Sequence, residues 1–318
     1  MFLDIILLIM GFIILIKGAD IFVDGASSVA SNFKLSKMLI GLTIVAFGTS
    51  APEFAVSIKS ILSSNSDMLI GNVIGSNILN ILLILGLSGC IYPMTIKSRT
   101  VRKELPITLM ITTLLIVLIG DSFLNGGVNL ITRSDGIVLL LFFLVFVYYL
   151  ISIMRNKIDN EREEAKYKLV PSILFTVGGI VAIVFGSSIV VDHASAIATY
   201  LGVSERMIAL TIVAFGTSLP ELVTSIIAAK KKENDIAIGN IIGSNIFNIG
   251  IVLGLSVAMF GTVNASGFQV WDLLFFFLSA LVLFLFSYKN HKLSKLEGIV
   301  MLLLFIIYYS VVIIGGIL

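Results

Sequence analysis

Charge is scarce in this chain. Only 13% of its 318 residues are Asp, Glu, Lys or Arg, where a soluble domain carries about 25%. With 58% hydrophobic residues, such a deficit points to lipid as the solvent of much of the surface. A single cysteine, Cys90, excludes a disulfide framework and a thiolate metal cluster. Two histidines are too few for a histidine metal centre. His291 lies among Lys289, Lys292 and Lys295 and reads as a solvated loop residue; His193 follows Asp192 near the end of an apolar run and reads as interfacial. Strict apolar–polar alternation is absent, which excludes a transmembrane barrel. The net charge of +2 carries no sign of a nucleic-acid partner.

What the chain does have is long apolar runs, such as 136–154 and 273–286, each interrupted by one serine. A run of about 20 residues matches a hydrocarbon core of about 30 Å. The N-terminus has no basic n-region and no A-x-A cleavage site, so the first run is expected to remain as a span.

The sequence is also one segment written twice. Residues 41–87 and 209–255 align without a gap at an offset of 168, with 27 identities in 47 positions. The offset extends upstream, pairing Gly11 with Gly179, Gly18 with Gly186, and Asp24-x-Ala26-Ser27 with Asp192-x-Ala194-Ser195. Five spans per half are expected: 2–27, 38–62, 67–92, 104–120 and 136–154, then 171–198, 205–229, 235–261, 269–288 and 295–316. Five is odd, so the second copy enters the membrane from the opposite side, the inverted repeat of many secondary transporters. The expected fold is therefore an all-α integral membrane protein of ten helices. Residues 1–154 form the first repeat, 155–170 a cytoplasmic linker too short for a folded regulatory domain, and 171–318 the second repeat. With both termini outside, 17 of the 21 Lys and Arg residues fall in inner loops, as the positive-inside rule requires of a cell-membrane protein. Lys17 and Lys59 fall within spans and are expected to snorkel.

Each repeat holds one carboxylate near mid-span, Glu53 in GTSAPE and Glu221 in GTSLPE. An acidic residue there costs roughly 2.5–3.5 kcal/mol on insertion scales, so it is a functional candidate by default. Pro52 and Pro220 precede the glutamates and should free the carbonyls of Gly48 and Gly216. Thr49, Ser50, Thr217 and Ser218 add hydroxyls on the same turn. Carboxylate, hydroxyl and carbonyl oxygens suit hard cations such as Ca²⁺ or Na⁺. The next span carries GNVIGSNILN and GNIIGSNIFN, which set Ser76 with Asn80, and Ser244 with Asn248, four apart on one helix face. Gly71 with Gly75, and Gly239 with Gly243, permit close packing. Asp67 and Asp235 read as caps of these spans.

These doubled blocks resemble the alpha-repeats of the sodium/calcium exchangers within the calcium/cation antiporter superfamily. The resemblance implies a core of four helices, the second and third of each repeat. It implies cation ligands at Glu53, Thr49, Ser50, Ser76 and Asn80, and at Glu221, Thr217, Ser218, Ser244 and Asn248, with the carbonyls of Ala46 and Ala214 as sodium ligands. It further implies that the first and sixth spans slide to alternate access. Some family members have Asp where this chain has Asn248, which argues against potassium co-transport here. The expected activity is sodium-for-calcium antiport, three Na⁺ for one Ca²⁺, with no enzyme activity, no cofactor and no required protein partner beyond the lipid bilayer. A calcium/proton antiporter is the alternative. A cation channel is disfavoured by inverted halves, and an intramembrane enzyme by the lack of a core histidine, a zinc signature or a serine–base pair.

Overall fold

The computed structural model describes residues 1–124, 126–156, 165–203, 212, 214–268 and 270–317. Backbone polar groups find no partner in hydrocarbon, so the apolar runs close their hydrogen bonds internally as helices. Among the described residues, seven helices are long and apolar enough to cross a membrane: Phe2–Phe33, Ser66–Ile91, Arg133–Arg155, Leu169–Tyr200, Asn234–Phe260, Val270–Asn290 and Lys295–Val312. The bent pair Lys37–Thr49 and Ala51–Leu62 makes an eighth if taken as one span. The expected span at 104–120 forms as the helix Glu104–Ile119, whose 16 residues reach about 24 Å at the helical rise. The expected span at 205–229 is described only in part, because residues 204–211 and 213 lie outside the described residues. So does half of the linker, 157–164.

Ser66–Ile91 and Asn234–Phe260 are the core helices, with 72% and 83% of their most apolar stretches buried, against 17–39% in the other five. Peripheral helices turn large apolar side chains outward: Ile9, Phe12, Ile13 and Ile16 on the first, Leu141, Leu144, Val145 and Tyr148 on Arg133–Asn156. Such faces are stable only against lipid.

The described residues pack as two compact units, residues 1–52 with 153–240, and residues 53–152 with 241–318. In the first unit, Phe2–Phe33 packs along Leu169–Tyr200 through glycines. A Cβ on Gly11 would stand 2.9 Å from Ile189 Cγ2, on Gly18 2.8 Å from Ala182 Cβ, and on Gly25 2.6 Å from Thr176 N. Positions rising along one helix meet positions falling along the other, so the two run antiparallel. They are the same segment of the repeat, so in this pair the two copies point in opposite directions. Near the end of Phe2–Phe33, Lys231 bridges Asp20 (2.8 Å) and Asp24 (2.7 Å). Lys166 also reaches Asp24, at 2.6 Å, and the carboxylate holds that ammonium above the ordinary lysine range. Ser27 and Lys37 both donate to Glu233 Oε1, at 2.9 and 3.0 Å. Positions 188 and 63, the repeat equivalents of Asp20 and Lys231, are serines, so this charge cluster belongs to one half only.

In the second unit two short antiparallel ribbons join loops of opposite halves. Met94 pairs with Leu293, and Leu130 with Asn264. Glu104–Ile119 runs from the first ribbon to the second, and Val270–Asn290 runs from the second back to the first. The glycines Gly86 and Gly254 each receive the closing helix of a half. A Cβ on Gly298 would stand 2.5 Å from the Gly86 carbonyl, and one on Gly136 2.8 Å from that of Gly254.

Candidate functional site

The first unit holds Ala46, Thr49, Ser50, Ala214, Thr217, Ser218 and Glu221. The helix Ala46–Thr49 stops at Ser50, whose ψ of 7° is not helical, and a new helix, Ala51–Leu62, starts at 47° to the preceding one. The second copy does the same at Ser218, with ψ 5°, before Leu219–Lys230. Pro52 and Pro220 thus stand in the first turn of a restarted helix, and not in a helix interior as the sequence suggested. A proline is tolerated there because its missing N–H has no intrahelical partner to lose. The consequence for the glutamates is favourable. Glu53 and Glu221 lie in the first turn, where the helix dipole stabilises an anionic carboxylate.

Glu221 is fully buried, and its Oε1 accepts a hydrogen bond from Ser50 Oγ at 2.9 Å. The two residues come from different repeats. Thr49 is 1% exposed; its hydroxyl lies 2.9 Å from Asn240 Oδ1 and 3.1 Å from the Val45 carbonyl. Thr217, its repeat equivalent, is only half-buried. The Gly216 carbonyl, expected to be left open by Pro220, instead accepts Ser187 Oγ at 2.8 Å. The first repeat has Ala19 at the position of Ser187, so this use of the carbonyl has no counterpart.

The second unit holds Glu53, Ser76, Asn80, Ser244 and Asn248. Glu53 is 1% exposed. Asn80 and Asn248 sit on π-helical turns, Leu79–Leu85 and Asn248–Leu253, which interrupt otherwise regular helices at the same place in both repeats. Both asparagines are 0% exposed. Asn248 Nδ2 donates to Ser76 Oγ at 3.2 Å, and Asn80 Nδ2 to Asn245 Oδ1 at 3.0 Å. The amide oxygens of Asn80 and Asn248 have no hydrogen-bond partner among the described residues. Phe247, one residue before Asn248, packs edge-on against Phe54 and Phe143, with ring centroids 6.5 and 6.2 Å away.

Two braces were not anticipated. Asn72 Nδ2 donates to Ser57 Oγ (2.9 Å) and to the Glu53 carbonyl (3.0 Å). At the equivalent positions Asn240 Nδ2 donates to Ser225 Oγ at 3.0 Å. Each ties a core helix to the restarted helix that bears a glutamate. Their sequence signal was present, since Ser57, Ser225, Asn72 and Asn240 are all identities of the repeat. Asp67 does not cap its helix. Asn65 does, accepting Met68 N at 3.0 Å, while Asp67 lies in the first turn against Gly267. Asp235 likewise lies in the first turn of its helix. A Cβ on Gly239 would stand 3.0 Å from Gly41 Cα, so the two glycines let their helices approach closely, but a Cβ on Gly71 would meet only Phe268, at 3.6 Å. His193 Nδ1 lies 3.1 Å from Asp4 Oδ1, which accounts for it without a cation.

Buried, duplicated oxygen donors on broken membrane helices define the class: an integral membrane transporter with broken helices carrying polar groups at membrane depth. The family follows from comparison. A family model described as sodium/calcium exchanger protein matches residues 3–152 and 171–314, and the chain belongs to that family. The sodium/calcium exchanger MaX1 of Methanosarcina acetivorans is 30% identical over 342 residues, covering 96% of this chain and 97% of its own. The inner membrane protein YrbG of Escherichia coli is 40% identical over 259 residues, 78% of each chain. Among solved structures, the sodium-calcium exchanger NCX_Mj soaked with zero Na⁺ and Ca²⁺ superposes with a TM-score of 0.84 at 33% identity, over 98% of this chain and 99% of that one.

Proposed function

We propose that this chain is a secondary antiporter of the cell membrane that exchanges Na⁺ for Ca²⁺ by alternating access. It has ten spans in two inverted repeats, residues 1–154 and 171–318 joined by a linker at 155–170, with both termini outside. The antiparallel run of Phe2–Phe33 and Leu169–Tyr200 supports the inversion. So do the two ribbons at opposite ends of Glu104–Ile119 and Val270–Asn290. The short Glu104–Ile119 helix and the partly described segment around Leu219–Lys230 complete the count.

Glu53 and Glu221 supply the charge. Thr49, Ser50, Ser76, Asn80, Thr217, Ser218, Ser244 and Asn248 supply neutral side-chain oxygens, and Ala46 and Ala214 their carbonyls. The observation that carries this reading is that Asn80 and Asn248, repeat equivalents on matching π-helical turns, both bury an amide oxygen that meets no donor among the described residues. An acceptor buried without a donor is costly unless a cation takes the donor's place. Each amide nitrogen is tied to a protein oxygen, which leaves the oxygen end for an ion.

The test is uptake of radiolabelled calcium into proteoliposomes containing the purified protein. A sodium gradient should drive uptake, and a pH gradient of equal size should not. Uptake driven by the pH gradient alone would replace sodium with protons as the counter-ion. Calcium moving without any counter-gradient, in discrete single-channel currents, would overturn antiport altogether.

A further inference from the structure

Asn77 and Asn245 occupy the same place in the two repeats, each between a serine and an isoleucine, and each is 1% exposed. By sequence they should do the same thing, but in the second unit they do not. Asn245 is used at both ends. Its Oδ1 accepts from Asn80 Nδ2 at 3.0 Å, and its own Nδ2 donates to the Asn77 backbone carbonyl at 3.3 Å, so one side chain from the second repeat spans two groups of the first. Exact symmetry would have the Asn248 amide donate to Asn77 Oδ1. Instead Asn248 Nδ2 donates to Ser76 Oγ at 3.2 Å, and Asn77 turns its amide back along its own helix to the Val73 carbonyl at 2.7 Å. Asn77 Oδ1 has no hydrogen-bond partner among the described residues.

The difference matters because an asparagine amide has two unlike ends. Oxygen accepts and can face a cation, whereas the NH₂ end donates and cannot. Rotating the amide by half a turn exchanges them. Whatever holds the nitrogen of Asn80 therefore decides that its oxygen is presented. We infer that Asn245 is a positioning residue for the cation ligand Asn80, and that its identical repeat partner Asn77 has no such role. The inference rests on the reading of Asn80 as a ligand given above.

Sodium-driven calcium uptake in proteoliposomes, read as KM for Ca²⁺ and maximal rate, tests it. Asn80→Ala and Asn245→Ala should each raise KM about tenfold, the scale of one hydrogen bond lost at a binding group. Asn245→Asp keeps the acceptor for Asn80 Nδ2 but cannot donate to the Asn77 carbonyl, so its KM should rise clearly less than that of Asn245→Ala. Asn77→Ala should leave KM within about twofold, because it loses only a bond within its own helix. The double variant Asn80→Ala, Asn245→Ala should be no worse than Asn80→Ala alone, as expected of a residue that acts through another. A purely structural role for Asn245 would lower the maximal rate and leave KM unmoved, and that result overturns the inference. So does an equal rise of KM in Asn77→Ala and Asn245→Ala. If Asn80→Ala itself leaves KM unchanged, the ligand reading of Asn80 fails, and the positioning role falls with it. Should Asn245→Ala not run as a monodisperse protein in detergent, Asn245→Cys, closer in volume and a poor acceptor, takes its place with the same expectations.

Discussion

Ser50 Oγ donates a hydrogen bond to Glu221 Oε1 at 2.9 Å, and both residues are 0% exposed, so a hydroxyl at the helix break of one repeat is fastened to the carboxylate of the other. With its single proton committed to Glu221, the Ser50 oxygen turns lone pairs elsewhere, as a cation ligand must. A hydrogen bond to a charged group contributes about 1.5–3 kcal/mol. Ser50→Ala should therefore weaken calcium transport by roughly ten- to a hundredfold in KM, measured as sodium-driven calcium uptake. Glu221→Gln and Glu53→Gln each remove a full charge and should abolish uptake while leaving the protein monodisperse in detergent. Near-normal transport by either glutamine variant would remove that residue from the site.

Asn248→Asp replaces a neutral oxygen with a carboxylate. Asp cannot donate to Ser76 Oγ as Asn248 Nδ2 does at 3.2 Å, so the serine hydroxyl must turn and become the donor. The added charge should strengthen cation binding or bring a potassium requirement, read as calcium uptake with and without potassium. The unsubstituted protein should exchange equally well in its absence. A strict potassium requirement there would contradict the role assigned to a neutral Asn248.

If the proposed exchange carries three Na⁺ for one Ca²⁺, one net charge moves per cycle, worth about 2.3 kcal/mol per 100 mV of membrane potential. The proposed ligands prompt this ratio, since a single Ca²⁺ needs only about 6–8 oxygens and the two repeats would offer more. An inside-negative potential should accelerate sodium entry and calcium exit. Clamping the potential with potassium and valinomycin at a fixed sodium gradient measures the effect. Flux indifferent to potential would rule out three-for-one exchange and favour two sodium ions, or two protons, per calcium.

The antiparallel pair Phe2–Phe33 and Leu169–Tyr200 depends on backbone-to-backbone approach. A Cβ on Gly179 would fall 2.6 Å from Phe22 Cβ and 2.7 Å from its Cα, so any side chain there separates the helices. Gly179→Val should lower stability by about 1–3 kcal/mol, the range for overpacking, read as a lower midpoint of thermal unfolding in detergent. Val at Gly178, whose Cβ direction is open within 4 Å, should be tolerated by comparison.

Much of this protein is legible in the residues alone. Where the residues are described, the apolar runs mark most helix ends to within about three residues, although Phe2–Phe33 runs six past its expected end, because lipid forces every spanning segment to satisfy its own backbone and to show apolar side chains. The duplication and the positions of Glu53 and Glu221 are equally local facts, and a proline beside a glutamate in such a run announces a broken helix wherever the chain folds. A repeat, however, says the same thing twice, and it cannot say which copy does what. Only the tertiary structure decided that Ser187 takes the Gly216 carbonyl while Ala19 leaves the first repeat without that bond. It also decided that Asn240 meets Thr49 and that Asn245 holds Asn80 while Asn77 turns back on its own helix. The π-helical turns under Asn80 and Asn248 gave no warning either, since the apolar pattern around them also suits a regular helix. The reason is physical. Whether a segment is helical is settled within a few turns by solvent and backbone, whereas the partner of a buried amide or hydroxyl can lie far along the chain, 165 residues away for Asn80, 191 for Thr49 and 29 for Ser187, and comes near only after the chain has packed.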